Sequence, residues 1–225
     1  LMMDIRADGW QIIKIEVEST VKPPEVRQLI RNEYDKDKVN IKAVLIFGQV
    51  AQPLSGCTAP DGHSDHNGAW ATEMYYADID GVWTDTKSTC TDCRNPNVPG
   101  DGKFDQYSLP TDAELQVGRV DFTGLVTFGN DLTPSYSNYL DKNHLFRIKK
   151  FTAPRKALIM DKFDAGYASS AFAYFNAALG KNATIIANDP GPFKTGKYLW
   201  GYAANGGSPD GFSGWHSYDF AINTY

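Results

Sequence analysis

The sequence predicts an α/β fold in which strands share one mostly parallel sheet and helices cover both of its faces. Three observations carry this. WQIIKIEVE, VRQLIRNEY and AVLIFGQV follow one another as strand, helix and strand, the order of a βαβ unit. AVLIFGQV (residues 43–50) is a continuous apolar run, the pattern of a parallel strand buried on both faces. Further along, helices with one apolar face alternate with the short apolar runs KALIM and YLWGY.

In order, residues 10–18 are rich in β-branched side chains and read as the first strand. Ser19 and Thr20 offer caps, and Pro23 and Pro24 suit a helix start. Val26, Leu29, Ile30 and Tyr34 recur at helical spacing, with Arg27, Arg31, Glu33 and Asp35 on the other face. After the strand at 43–50 comes a long loop, residues 51–71, containing PDGHSDHNGAW. A loop of that length in a compact domain is commonly functional. Its Asp61, His63, Asp65 and His66 combine imidazole with carboxylate, the pairing of metal sites and of acid–base chemistry, and equally of a polar loop tied by aspartate-to-backbone bonds.

From Met74 to Asp121, two acidic glycine-punctuated loops sit between runs of strand-forming residues. Asp78, Asp80 and Asp85, with Asp101 and Asp105 as a second group, supply the oxygen donors that calcium prefers, although the EF-hand's twelfth-position glutamate is missing. The competing reading is that these carboxylates cap turns. ELQVGRVD then predicts a strand over 114–120 that brings Arg119 and Asp121 to a sheet edge. A helix opens at Thr133-Pro134 with Tyr136, Tyr139 and Leu140 on one face, and its basic end at 147–150 suits the helix dipole. A strand at 156–160 follows. The next helix spans about 167–179, with Ala171, Phe172, Phe175 and Leu179 inward and Gly180 as C-cap. The strand at 198–202 runs into Ala203-Ala204-Asn205-Gly206-Gly207-Ser208, a turn at the carboxyl end of a strand where α/β folds bind ligands. It lacks the spacing of a phosphate loop. Residues 215–225 begin another element.

With 225 residues and 42% hydrophobic content, one domain over residues 1–225 is expected. The net charge of −5 and the lack of long basic runs argue against nucleic acid or an anionic membrane as partner. No apolar stretch approaches the roughly 18 residues of a membrane span. The chain begins Leu1-Met2-Met3 without the charged and apolar regions of a signal peptide, so any leader is removed or not included. Cys57, Cys90 and Cys93 lie in polar loops, which favours one disulfide with a thiol left over, and so an oxidising, extracytoplasmic setting. The alternative is zinc held by the three thiolates and either His63 or His66.

The segments AVLIFGQVAQP, GHSDHNGAW, MYYADIDGVW, GDGKFDQ, ELQVGRVDF, YLDKNHLFR, KALIMD and YLWGYAANGGS together resemble a gingipain-type cysteine peptidase domain, a secreted bacterial relative of the caspases. The resemblance implies a caspase-like three-layer sandwich and protein or peptide as partner. It also implies a His-Cys dyad, with the histidine in a His-Gly turn directly after the strand matching YLWGY and the cysteine at the end of the next strand. Here Asn205, followed by Gly206 and Gly207, stands at the histidine position, and the chain stops at Tyr225 before a cysteine strand. The domain is therefore expected to be cut short at its C-terminal end. His216, eleven residues beyond Asn205, is the nearest histidine, and beside Trp215 it reads better as a surface residue. The expected function is a secreted peptidase-like domain, catalytically incomplete in this chain. The alternative is a calcium-stabilised extracellular binding or surface-structure module.

Overall fold

The structure, a computed structural model, describes residues 1–89, 93–125, 129, 131–163, 169–189, 191–208, 211–212 and 215–216. Along the chain the helices are α1 (Met2–Ala7), α2 (Pro23–Tyr34), α3 (Met74–Ala77), α4 (Thr133–Arg147), α5 (Ser170–Leu179) and α6 (Gly191–Thr195). The strands are β1 (Ala43–Phe47), β2 (Leu54–Ser55), β3 (Trp70–Ala71), β4 (Gln116–Val120), β5 (Ala157–Asp161), β6 (Thr184–Ile186), β7 (Trp200–Ala204), β8 (Gly207–Ser208), β9 (Gly211–Phe212) and β10 (Trp215–His216). The architecture is mixed α/β with parallel sheets and helices. The chain divides into two compact units, residues 13–124, and residues 1–12 with 125–225.

In the unit 13–124, β1 and β4 pair in parallel from Ala43 opposite Gln116 to Phe47 opposite Val120. Helix α2 starts where Pro23 and Pro24 occupy its first turn, and Glu25 accepts a bond from the Lys22 N–H at 3.1 Å. Its apolar stripe delivers Val26 to a core with Ile46, Tyr75, Tyr76 and Phe104, and Tyr34 to a second cluster with Ile79 and Leu115. Tyr75 and Phe104 stack at 4.1 Å, and Trp83 meets both rings edge-on.

Four expectations change between residues 10 and 124. Residues 10–18 form no strand. Trp10, Ile13 and Ile15 are exposed and only Val17 reaches the core, so the β-branched run has no neighbour to share a ladder with. MYYA is a helical turn rather than a strand, because Tyr75, Tyr76 and Ala77 all turn into the core. Arg27 does not lie on the solvent face: its guanidinium donates to the carbonyls of Asp78, Ile79 and Gly81 and covers the Tyr75 ring. The outer face of β1 is not covered by a helix among the described residues, since Leu45 stays 48% exposed.

In the other unit, β5 is the centre of a parallel sheet ordered β6-β5-β7. Ala157, Leu158, Ile159 and Met160 are fully buried, as a strand covered on both faces should be. Helix α5 begins at Ser169, whose hydroxyl oxygen accepts from the Phe172 N–H and whose O–H donates to Asp161 Oδ2 at 2.7 Å. Its Ala171 and Phe172 pack on Ile159. Strands β8, β9 and β10 form an antiparallel meander. The strands expected to share one sheet therefore divide into two. Among the described residues β1 and β4 bond to each other, while β5 bonds to β6 and β7. No helix among the described residues is long and apolar enough to cross a membrane.

Candidate functional site

The crossover from β1 to β4 carries the sequence's polar loops. A two-residue ladder, Leu54 opposite Ala71 and Ser55 opposite Trp70, closes the loop holding PDGHSDHNGAW. Its entry is held by Asn97, fully buried, whose amide donates to Gly56 O at 2.8 Å and Phe104 O at 2.9 Å. Its exit is held by the Ala69 N–H, which donates to Asn95 O at 3.1 Å. Between these ties lies a 3₁₀ turn, Ser64–His66, so the loop's side chains project from an anchored frame.

On that frame, Asp61 Oδ1 accepts from the His63 N–H at 3.1 Å, and Asp61 Oδ2 stands 2.6 Å from His66 Nδ1. The His66 ring and the His63 N–H hold the Asp61 carboxyl below its ordinary pKa. An ionised carboxylate only accepts, so His66 Nδ1 carries the proton. Its Nε2 lies 3.2 Å from Arg94 Nη1. Asp65 Oδ2 lies 3.5 Å from Arg94 Nη2 and 3.6 Å from His66 Nε2. One ligand atom from each of Asp61, His63 and His66 lies within 4.8 Å of the other two. Trp70 Nε1 donates to His66 O at 2.9 Å and meets the His66 ring edge-on at 5.8 Å. Trp70 in turn walls an open cleft of about 380 Å³ with Ser55, Met74, Trp83, Tyr107 and Leu109.

The aspartates expected to hold calcium are engaged by the protein itself. Asp78, fully buried, accepts from the Gly81 N–H and from both the N–H and hydroxyl of Thr111. Asp80 pairs with Arg31 at 3.0 Å. Asp85 receives the N–H groups of Gly100 and Gly102, both at 2.8 Å. Asp101 receives those of Val98 and Lys103 and pairs with the Lys103 ammonium. Asp105 takes bonds from Thr84, Thr86 and Lys87. Asp85 and Asp101 tie turns, Asp78 ties both a turn and the distant Thr111, Asp105 joins two separate loop segments, Asp80 reaches helix α2, and nothing in the arrangement is specific to calcium.

Arg119 does reach the end of β4. There it grips Glu73 with Nε at 2.6 Å and Nη2 at 3.3 Å, and donates to the Val50 and Ala51 carbonyls. Tyr76, whose hydroxyl is pushed well up in pKa by burial, donates to the same Ala51 carbonyl at 2.7 Å. These groups fix the chain as it leaves β1.

Strand β7 runs to Ala204, two residues past its predicted end, so of the predicted turn only Asn205 and Gly206 lie between strands and Gly207–Ser208 form β8. His216 lies on β10 with its backbone opposite Gly211, while residues 217–225 fall outside the described residues. Cys57 and Cys93 are half-buried and not bonded to each other, and Cys90 falls outside the described residues. Neither Cys57 nor Cys93 joins the Asp61, His63 and His66 group. Sequence reasoning did not single out Asn97, Arg94, Glu73 or Trp70. Trp70 alone carried a signal, as a tryptophan directly after a Gly-Ala within the polar loop.

Compared with protein families, with curated proteins and with solved structures, the chain has no match in any of the three.

Proposed function

We propose that the chain is a secreted, gingipain-type peptidase-like domain of caspase-like architecture that binds protein or peptide without cleaving it. The observation that carries this reading is the end of β7. That strand runs parallel to β5, from Trp200 opposite Ala157 to Ala204 opposite Asp161, and Asn205 follows directly. This is the place where the resemblance puts the dyad histidine. An asparagine amide does not accept a proton near neutral pH, so a thiol nearby would go unactivated. Loss of one member of such a unit removes nearly all of the rate. Incubating the pure 225-residue chain with a mixed peptide library should give no sequence-selective cleavage, and a thiol-directed peptidase inhibitor should label no site-facing residue. Selective cleavage, abolished by alanine at Cys57, Cys90, Cys93 or His216, overturns the reading.

A second reading is a calcium-stabilised extracellular binding or surface-structure module; the loops that Asp78, Asp85, Asp101 and Asp105 tie would supply its rigid binding frame, while the calcium part rests on the acidic loops of the sequence alone. A Tm lowered by chelator and restored by calcium supports that reading; a Tm unchanged by either removes calcium from it.

A further inference from the structure

We propose that Asp61, His63 and His66 form a binding site for one divalent transition ion of the zinc class, and that the ion locks the loop walling the cleft. Their ligand atoms are already gathered within 4.8 Å of one another, on a loop tied at Asn97 and Asn95. To ligate an ion the donors must close in and the bond between His66 Nδ1 and Asp61 must give way, but the tied loop already meets part of the ordering cost. The donor set selects the ion. Two imidazoles and a carboxylate suit zinc, cobalt, nickel or copper, whereas calcium and magnesium take oxygen donors. Three protein donors also leave a place for water or an incoming ligand.

The surrounding charges favour a cation. Asp61 and Asp65 carry two negative charges against the single positive charge of Arg94, which lies 3.2 Å from His66 Nε2 and is itself paired with Asp65. Arg94 therefore opposes the ion, and removing it should tighten binding. The link to the cleft is Trp70. Its indole N–H is held by the His66 carbonyl and its ring abuts the His66 imidazole, so an ion fixing His66 fixes one wall of the cleft. The site is independent of the peptidase-like reading, since it uses neither Asn205 nor a cysteine.

Cobalt(II) titration of the whole chain, followed by its visible absorption and back-titration with zinc, tests the site. One equivalent should bind, and also in a variant with Cys57→Ser, Cys90→Ser and Cys93→Ser. His63→Ala combined with His66→Ala should weaken binding by about a hundredfold and Asp61→Asn by about tenfold, with an unchanged far-ultraviolet circular dichroism spectrum. Arg94→Ala should bind severalfold tighter. Hydrogen exchange in residues 58–71 should slow on adding zinc to the wild type and not to the double histidine variant. The proposal fails if no cobalt band appears, if the band survives loss of both histidines, if it vanishes in the cysteine-free variant, or if calcium displaces cobalt as readily as zinc does. Exchange in residues 58–71 that ignores bound zinc overturns the loop-locking part.

Discussion

At Asp105 a carboxylate only 1% exposed is made tolerable by four hydrogen bonds from Thr84, Thr86 and Lys87. Burial pushes its pKa up, and those bonds outweigh the burial, so the group titrates below its ordinary value. The ionised form therefore stabilises the fold above the unfolded carboxylate pKa of about 3.9, and the contribution is lost as pH falls through the lowered folded value. Asp105→Asn should cost about 2–3 kcal/mol near neutral pH. It should also flatten the rise of stability with pH below about pH 4 by up to one proton, read by urea unfolding across a pH series. The sequence pointed to this aspartate because it sits in GDGKFD. It did not reveal which amides would face it, since Thr84, Thr86 and Lys87 come from some twenty residues earlier. Asn97 shows the same limit more sharply. In NPNVPG it is one turn former among several, and only the folded chain brings it against Gly56.

The His-bearing loop depends on a close backbone approach at Gly68. Its φ is +125°, and a Cβ there would lie 1.2 Å from the Asn95 carbonyl oxygen. Gly68→Ala should cost about 3 kcal/mol or more, because strain and overlap with rigid backbone add. Gly62→Ala is the control: its φ is +82° but nothing lies within 4 Å, so about 1 kcal/mol is expected. Denaturant midpoints that fail to separate the two variants would show that the loop does not need the contact with Asn95. Elements with long, regular patterns were legible. Helices α2, α4 and α5 and strand β5 lie within a few residues of their predicted spans, because caps and apolar spacing are local signals. Strand β6, three residues long, is too short to show a period, and residues 10–18 had strand composition but no partner.

Each unit contains its own cores. Val26, Ile46, Tyr75, Tyr76 and Phe104, with Tyr34, Ile79 and Leu115, lie wholly inside residues 13–124. The fragment 13–124 should therefore fold alone, giving a single cooperative urea transition by circular dichroism; a featureless, non-cooperative loss of signal would refute that. The α/β class and the parallel direction of the strands were readable from the order of elements. Their division between two sheets was not, because strand patterns record burial and leave the pairing partner unspecified. The pairing of β1 with β4 also bears on how fast that unit forms. These neighbours are joined only after the chain between Phe47 and Gln116 has been gathered in, so their first contact confines a very long loop before any ladder bond repays it. Refolding of this unit should be limited by that closure, and the ties at Asn97 and Asp105, which shorten the effective loop from within, are where its nucleus would be placed.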